Sequence, residues 1–143
     1  MRINLFLTFC LAGLLAVNPV FACASNDNNV KSFWEKFRTA VIKKDKNTVA
    51  AMTKFPLSMP FGQKSVRSKA ELLRRYGQVF DGETDAAKCF EKAVPEKGDN
   101  GHRYGVYCGF RDALDDENNK PIYYYFEKTK AGWKFAGLDN INE

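Results

Sequence analysis

The sequence predicts an α+β domain, with N-terminal helices packed on a curved antiparallel β-sheet, and three observations predict it. Apolar residues recur at helical spacing up to residue 92, and from residue 102 onward they alternate with a period of two. A leading segment, residues 1–24, reads as a signal peptide for export and leaves residues 25–143 as a single domain. Helices first and strands afterwards is the order of an α+β architecture, and a chain of that length supports one hydrophobic core.

Met1-Arg2-Ile3-Asn4 gives a short basic start, and the run from Leu5 to Phe21 carries no charge, as in the n-region and h-region of a secretory signal. The run is shorter than the ~20 residues a bilayer-spanning helix needs, so no transmembrane segment is expected in the mature chain. Two processing routes are open. Ala22-Cys23-Ala24 offers small residues for cleavage before Ser25, whereas Val20-Phe21-Ala22-Cys23 resembles a bacterial lipoprotein signal, with Cys23 as the lipidation site and a lipid anchor as the consequence. Either route puts the domain outside the cytoplasm: in the periplasm, anchored to the membrane, or secreted.

Cys10 and Cys23 belong to the leading segment, which leaves Cys89 and Cys108 for the domain. In an oxidising compartment they are expected to form a disulfide, with two reduced, buried thiols as the alternative. The full chain has 22 basic and 17 acidic residues and a net charge of +5, of which Arg2 departs with the signal. This mild basicity suits solubility and does not point to nucleic acid.

Val30, Phe33, Trp34, Phe37 and Val41 fall on one stripe of a helix over residues 29–43, with Lys43 and Lys44 at the negative end of its dipole. Asn47 is expected to cap a short second helix through Met52, and Pro56 to stop it. Residues 57–66, broken by Pro60 and Gly62, read as a small hairpin or an edge strand. Ser68-Lys69-Ala70-Glu71 is a capping box, and Leu72, Leu73, Tyr76, Val79 and Phe80 mark the face of the helix it opens, which ends at Asp81-Gly82. Another short helix, from Thr84 through Lys92, carries Cys89 and Phe90 toward the core, and residues 95–101 turn the chain.

From His102 the pattern becomes a strand, with Tyr104, Val106, Cys108 and Phe110 on one face and Arg103, Gly105, Tyr107, Gly109 and Arg111 on the other. Residues 121–128 form a second strand, with Ile122, Tyr124 and Phe126 opposite Tyr123, Tyr125 and Glu127, and residues 133–138 a third. Residues 129–132 make a tight hairpin between the last two, and residues 112–120 a longer polar connection.

The order resembles the NTF2-like superfamily of cystatin-like α+β cones, in an exported bacterial form of unknown function. The resemblance rests on an aromatic-rich first helix, a short second helix, the Lys54-Phe55-Pro56-Leu57 break, the third helix opening at Ser68-Lys69-Ala70-Glu71, and the closing strand Trp133-Lys134-Phe135-Ala136-Gly137-Leu138. It spans nearly all of the mature chain and implies a cone of helices on a sheet. Enzymes of that superfamily place an acid, a tyrosine or a histidine inside the cone. No position here matches those residues one by one, so no catalytic residue, metal ligand or cofactor is assigned, and fold alone does not confer function.

The chemistry-bearing residues give little else. His102 is the single histidine, has no adjacent carboxylate, and reads as a surface residue before a strand. Cys89, His102 and Cys108 have no recognised zinc spacing. Asp112, Asp115, Asp116 and Glu117 read as solvated turn residues, because Lys120 stands where a calcium loop needs glycine and Phe126 where it needs glutamate. The tyrosines stand out. Both faces of the 122–126 strand are aromatic, so one set packs under the helices and the other needs a different cover. Arg103, Tyr107, Arg111, Tyr123 and Tyr125 form the candidate partner-binding surface, a composition typical of recognition patches, unless the chain covers that face itself.

Two functions fit these readings. The first is an exported non-catalytic binding domain that recognises a protein or other macromolecular partner in the cell envelope, as an inhibitor or immunity-like protein does, or a second copy of itself. The second is a small-molecule enzyme or carrier that uses the interior of the cone.

Overall fold

In the computed structural model, which describes residues 29–60, 62–98 and 102–142, helix α1 (Val30–Ile42) begins where Asn29 accepts the Lys31 N–H at 2.9 Å. The signal, Cys23 and the cleavage site lie outside the described residues. The expected stripe of α1 faces the core: Phe33, Trp34, Phe37 and Val41 are buried, joined by Ala40, and Val30 packs against the core partly buried. Helix α2 (Lys46–Ala51) starts two residues earlier than the sequence suggests. Asp45 rather than Asn47 caps it, because the Asp45 carboxylate takes both the Thr48 N–H at 3.1 Å and the Thr48 hydroxyl at 2.6 Å.

Strand β1 (Thr53–Ser58) absorbs the segment that reads as a break. Pro56 is tolerated because β1 is an edge strand, and Leu57 bridges outward to Val66 in both directions at 2.8 and 3.1 Å. Helix α3 (Lys69–Phe80) has the expected Ser68 cap, with Ser68 Oγ accepting the Glu71 N–H at 3.2 Å. The return bond differs, since the Glu71 carboxylate accepts the Arg67 N–H at 2.7 Å and anchors the residue before the cap. Helix α4 (Ala86–Lys92) is capped by Asp85, whereas Thr84 is buried at the start of the turn.

The strands that follow are β2 (Glu96–Lys97), β3 (Arg103–Cys108), β4 (Ile122–Thr129) and β5 (Gly132–Asn140). They order as β1-β5-β4-β3-β2. The late strands are antiparallel as expected, but β1 runs parallel to β5, so the sheet is mixed. A parallel pair needs a long connection, and here it is the whole run of helices and strands between β1 and the last strand. Strand β2 has too few residues to show a period of two, which is why the sequence reads it as a turn.

Helices and sheet meet through rings. Phe37 is fully buried and lies 5.1 to 6.3 Å from Phe33, Phe80, Phe90, Phe126 and Phe135. Each such ring contributes roughly 1.5–3 kcal/mol by leaving water. The disulfide forms as expected, joining Cys89 on α4 to Cys108 at the end of β3 with Cα atoms 5.8 Å apart. Closing a loop across a sequence separation of 19 contributes about 3 kcal/mol in the chain-entropy model.

Candidate functional site on the outer face of the sheet

Alternation along β3 and β4 divides their side chains between two faces. Val106, Cys108, Ile122, Tyr124 and Phe126 are buried in the core under the helices, while Arg103, Tyr107, Tyr123, Tyr125 and Glu127 share the other face. Tyr107 stands directly across from Tyr123, and Arg103 across from Glu127.

On this outer face the tyrosines form a column. Tyr107 stacks on Tyr123 with ring centres 4.6 Å apart and planes 26° apart, and Tyr123 stacks on Tyr125 at 5.8 Å and 23°. The Arg103 guanidinium closes the Tyr125 end, 4.6 Å from the ring centre, a cation over an electron-rich face. Glu127 holds that guanidinium in place by accepting from Nε at 2.8 Å and from Nη2 at 2.7 Å, and its other oxygen accepts from Lys54 Nζ of β1 at 2.8 Å. The Lys54 hydrogen bond, followed by that of Arg103, keeps the Glu127 carboxyl below the usual glutamate range despite partial burial.

Glycines make room for the column. A Cβ on Gly105 would sit 2.3 Å from the Tyr123 ring, and one on Gly137 would sit 2.5 Å from the Tyr125 hydroxyl. The rings therefore lie on bare backbone, which lets flat aromatic groups approach the sheet closely. Lys54, Glu127 and these glycines were not singled out as site residues from the sequence. The signal was available in part: Gly105 interrupts a strand pattern, and Glu127 shares a face with Tyr123 and Tyr125.

Exposure grades along the column. Tyr107 is 38% exposed, Tyr123 is half-buried, and Tyr125 retains only 8% beneath Arg103. The structure does not bring Arg111 to these rings. The strand ends at Cys108, Gly109 turns the chain, and Arg111 opens a short 3-10 helix. Its guanidinium donates to the carbonyls of Asp81 and Thr84, and its N–H to that of Glu83 at 2.8 Å, so it secures the end of α3 instead.

The interior offers a different chemistry. Among the described residues, the buried polar or charged residues are Thr53, Thr84 and Asn140. Thr53 donates to the Val49 carbonyl at 2.7 Å, and Asn140 donates to the Glu83 carboxylate at 3.0 Å. The Tyr124 hydroxyl donates to the Val79 carbonyl at 2.9 Å, and burial, ahead of nearby Asp81 and Glu83, raises its pKa. Phenylalanine rings occupy the rest, with Phe80 stacked on Tyr124 and Phe126 against Phe33 and Trp34. His102 is exposed just before β3.

Solved structures similar to this chain are NTF2-like and cystatin-like proteins. A ketosteroid isomerase-like protein from Erwinia carotovora atroseptica is 15% identical over 77% of this chain and 90% of its own, with a TM-score of 0.43. A protein of unknown function with a cystatin-like fold from Nostoc punctiforme is 12% identical over 78% of this chain and 86% of its own, with a TM-score of 0.42. An NTF2-like protein of unknown function in nutrient uptake from Rhodospirillum rubrum is 15% identical over 78% and 95%, with a TM-score of 0.43. No protein-family model and no curated protein matches the chain.

Proposed function

We propose that this protein is exported and serves as a non-catalytic binding domain that recognises a macromolecular partner of the cell envelope through the outer face of its sheet. The observation that carries the reading is the column in which Tyr107 and Tyr123 present accessible rings and Arg103 covers the buried Tyr125, on a face of the sheet away from the helices. Tyrosine and arginine are, with tryptophan, enriched among the residues that dominate binding energy at interfaces, and here stacking already orders them. The packing of phenylalanines inside the cone supports the same reading over an enzyme or carrier, because those rings occupy the space a small substrate would need.

Export is supported by the signal-like leading segment and by the Cys89–Cys108 bridge, which persists in oxidising compartments. Among the described residues no helix is long and apolar enough to cross a membrane. Either residues 1–24 are removed as the signal and the chain is released at Ser25, or the chain is held by a lipid on Cys23. Affinity capture from an envelope extract tests the function. The protein should retain one partner in stoichiometric amount, and the double variant Tyr107→Ala/Tyr123→Ala should lose it while keeping its Tm within a few degrees. Equal recovery by the variant would reject the surface.

A further inference from the structure

Beyond the sheet face, a cavity of about 370 Å³ opens beside the disulfide, between α4 and the connection from β3 to β4. Cys89, Cys108 and Leu114 give it an apolar floor, and Tyr107 borders it. Its two walls carry opposite charge. Helix α4 contributes Lys88 and Lys92 with Glu91, and the connection contributes Asp115 and Glu117 with Lys120. Lys120 is already tied to Glu117 at 2.5 Å, so the balance of the connecting wall falls to Asp115. Among the described residues, no ion pair joins Lys88 or Lys92 to Asp115 across the gap.

A cation pair on one wall and a carboxylate on the other complement a molecule that carries both charges on one small frame. We propose that this cavity binds a small zwitterion of amino-acid size, with its carboxylate toward Lys88 and Lys92 and its cationic end toward Asp115. A simple cation meets the α4 lysines, and a simple anion meets Asp115, so either one alone gains from only half of the site. The inference is separate from the macromolecular reading, whose test variants change Tyr107 and Tyr123 and leave Lys92 and Asp115 as they are.

Amide chemical shifts of the protein titrated with L-arginine test it, with agmatine as the cation lacking a carboxylate and propionate as the carboxylate lacking a cation. L-arginine should give saturable shifts at Lys92, Leu114 and Asp115, and agmatine and propionate should each bind about tenfold more weakly. Lys92→Ala and Asp115→Asn should each weaken L-arginine about tenfold with unchanged Tm. The proposal is overturned if L-arginine gives no saturable shift in the cavity, if agmatine or propionate matches it, or if both variants bind it as the wild type does. A partner captured on the outer face would be unaffected by any of these results.

Discussion

The Arg103 guanidinium lies 4.6 Å from the centre of the Tyr125 ring while Glu127 grips its nitrogens from the same face of the sheet. Removing it with Arg103→Ala uncovers Tyr125 and leaves Glu127 with Lys54 alone. The expected cost is about 1 kcal/mol, read as a lower urea midpoint at unchanged slope. Arg103→Lys should recover less than half of that, because an ammonium cannot stack flat and donate through a fork at once.

Glycine substitutions should separate by face. Gly105→Ala drives a Cβ into the Tyr123 ring and within 2.6 Å of the Tyr124 carbonyl, and Gly137→Ala meets Tyr125 and Ser58. Each is expected to destabilise by about 1–3 kcal/mol. Gly77 sits exposed within α3 with open space around it, so Gly77→Ala should stabilise by about 0.5–1 kcal/mol. Equilibrium urea unfolding of the three variants checks the ordering.

The pH dependence has two limbs. Glu127 is held below its ordinary value when folded, so its contribution is present above the unfolded carboxylate pKa and is lost as pH falls through the folded one. Glu127→Gln should flatten that acid limb. Burial, ahead of Asp81 and Asp45, pushes Tyr76 up to about 12, and Tyr124 is raised further. Raised tyrosines contribute fully below the unfolded pKa and lose that contribution as pH rises through the folded values, so unfolding should begin above about pH 10. The buried Tyr76 hydroxyl has no hydrogen-bond partner among the described residues, so Tyr76→Phe should stabilise by about 1 kcal/mol.

Reduction of the Cys89–Cys108 bridge should cost about 3 kcal/mol. Tm with and without reductant measures it, and a Cys89→Ala/Cys108→Ala variant should match the reduced protein.

The fold was legible where one residue pattern decides an element. The Phe33–Trp34–Phe37–Val41 stripe, the Ser68 cap and the alternation through Tyr104–Cys108 and Ile122–Phe126 all lie where the sequence places them. It was illegible where a partner distant in sequence decides. The strand from Thr53 to Ser58 exists because β5 pairs with it, and Glu96–Lys97 because β3 does. The same division holds for the site. Alternation put Arg103, Tyr107, Tyr123 and Tyr125 on one face, but it carried Arg111 along with them, because local pattern does not reveal that Gly109 ends the strand and that α3 needs its carbonyls satisfied. The stacking itself depends on Gly105 and Gly137 lying across the strands, which only strand register supplies.

Photo-crosslinking from a benzophenone amino acid tests the outer-face account most directly, placed at Tyr107 and, as the comparison, at exposed Thr39 on α1. In intact cells the expected result is a single partner adduct from position 107 and none from position 39. Adducts from the helical position alone, or none at 107 under conditions where the protein is exported and folded, would contradict it.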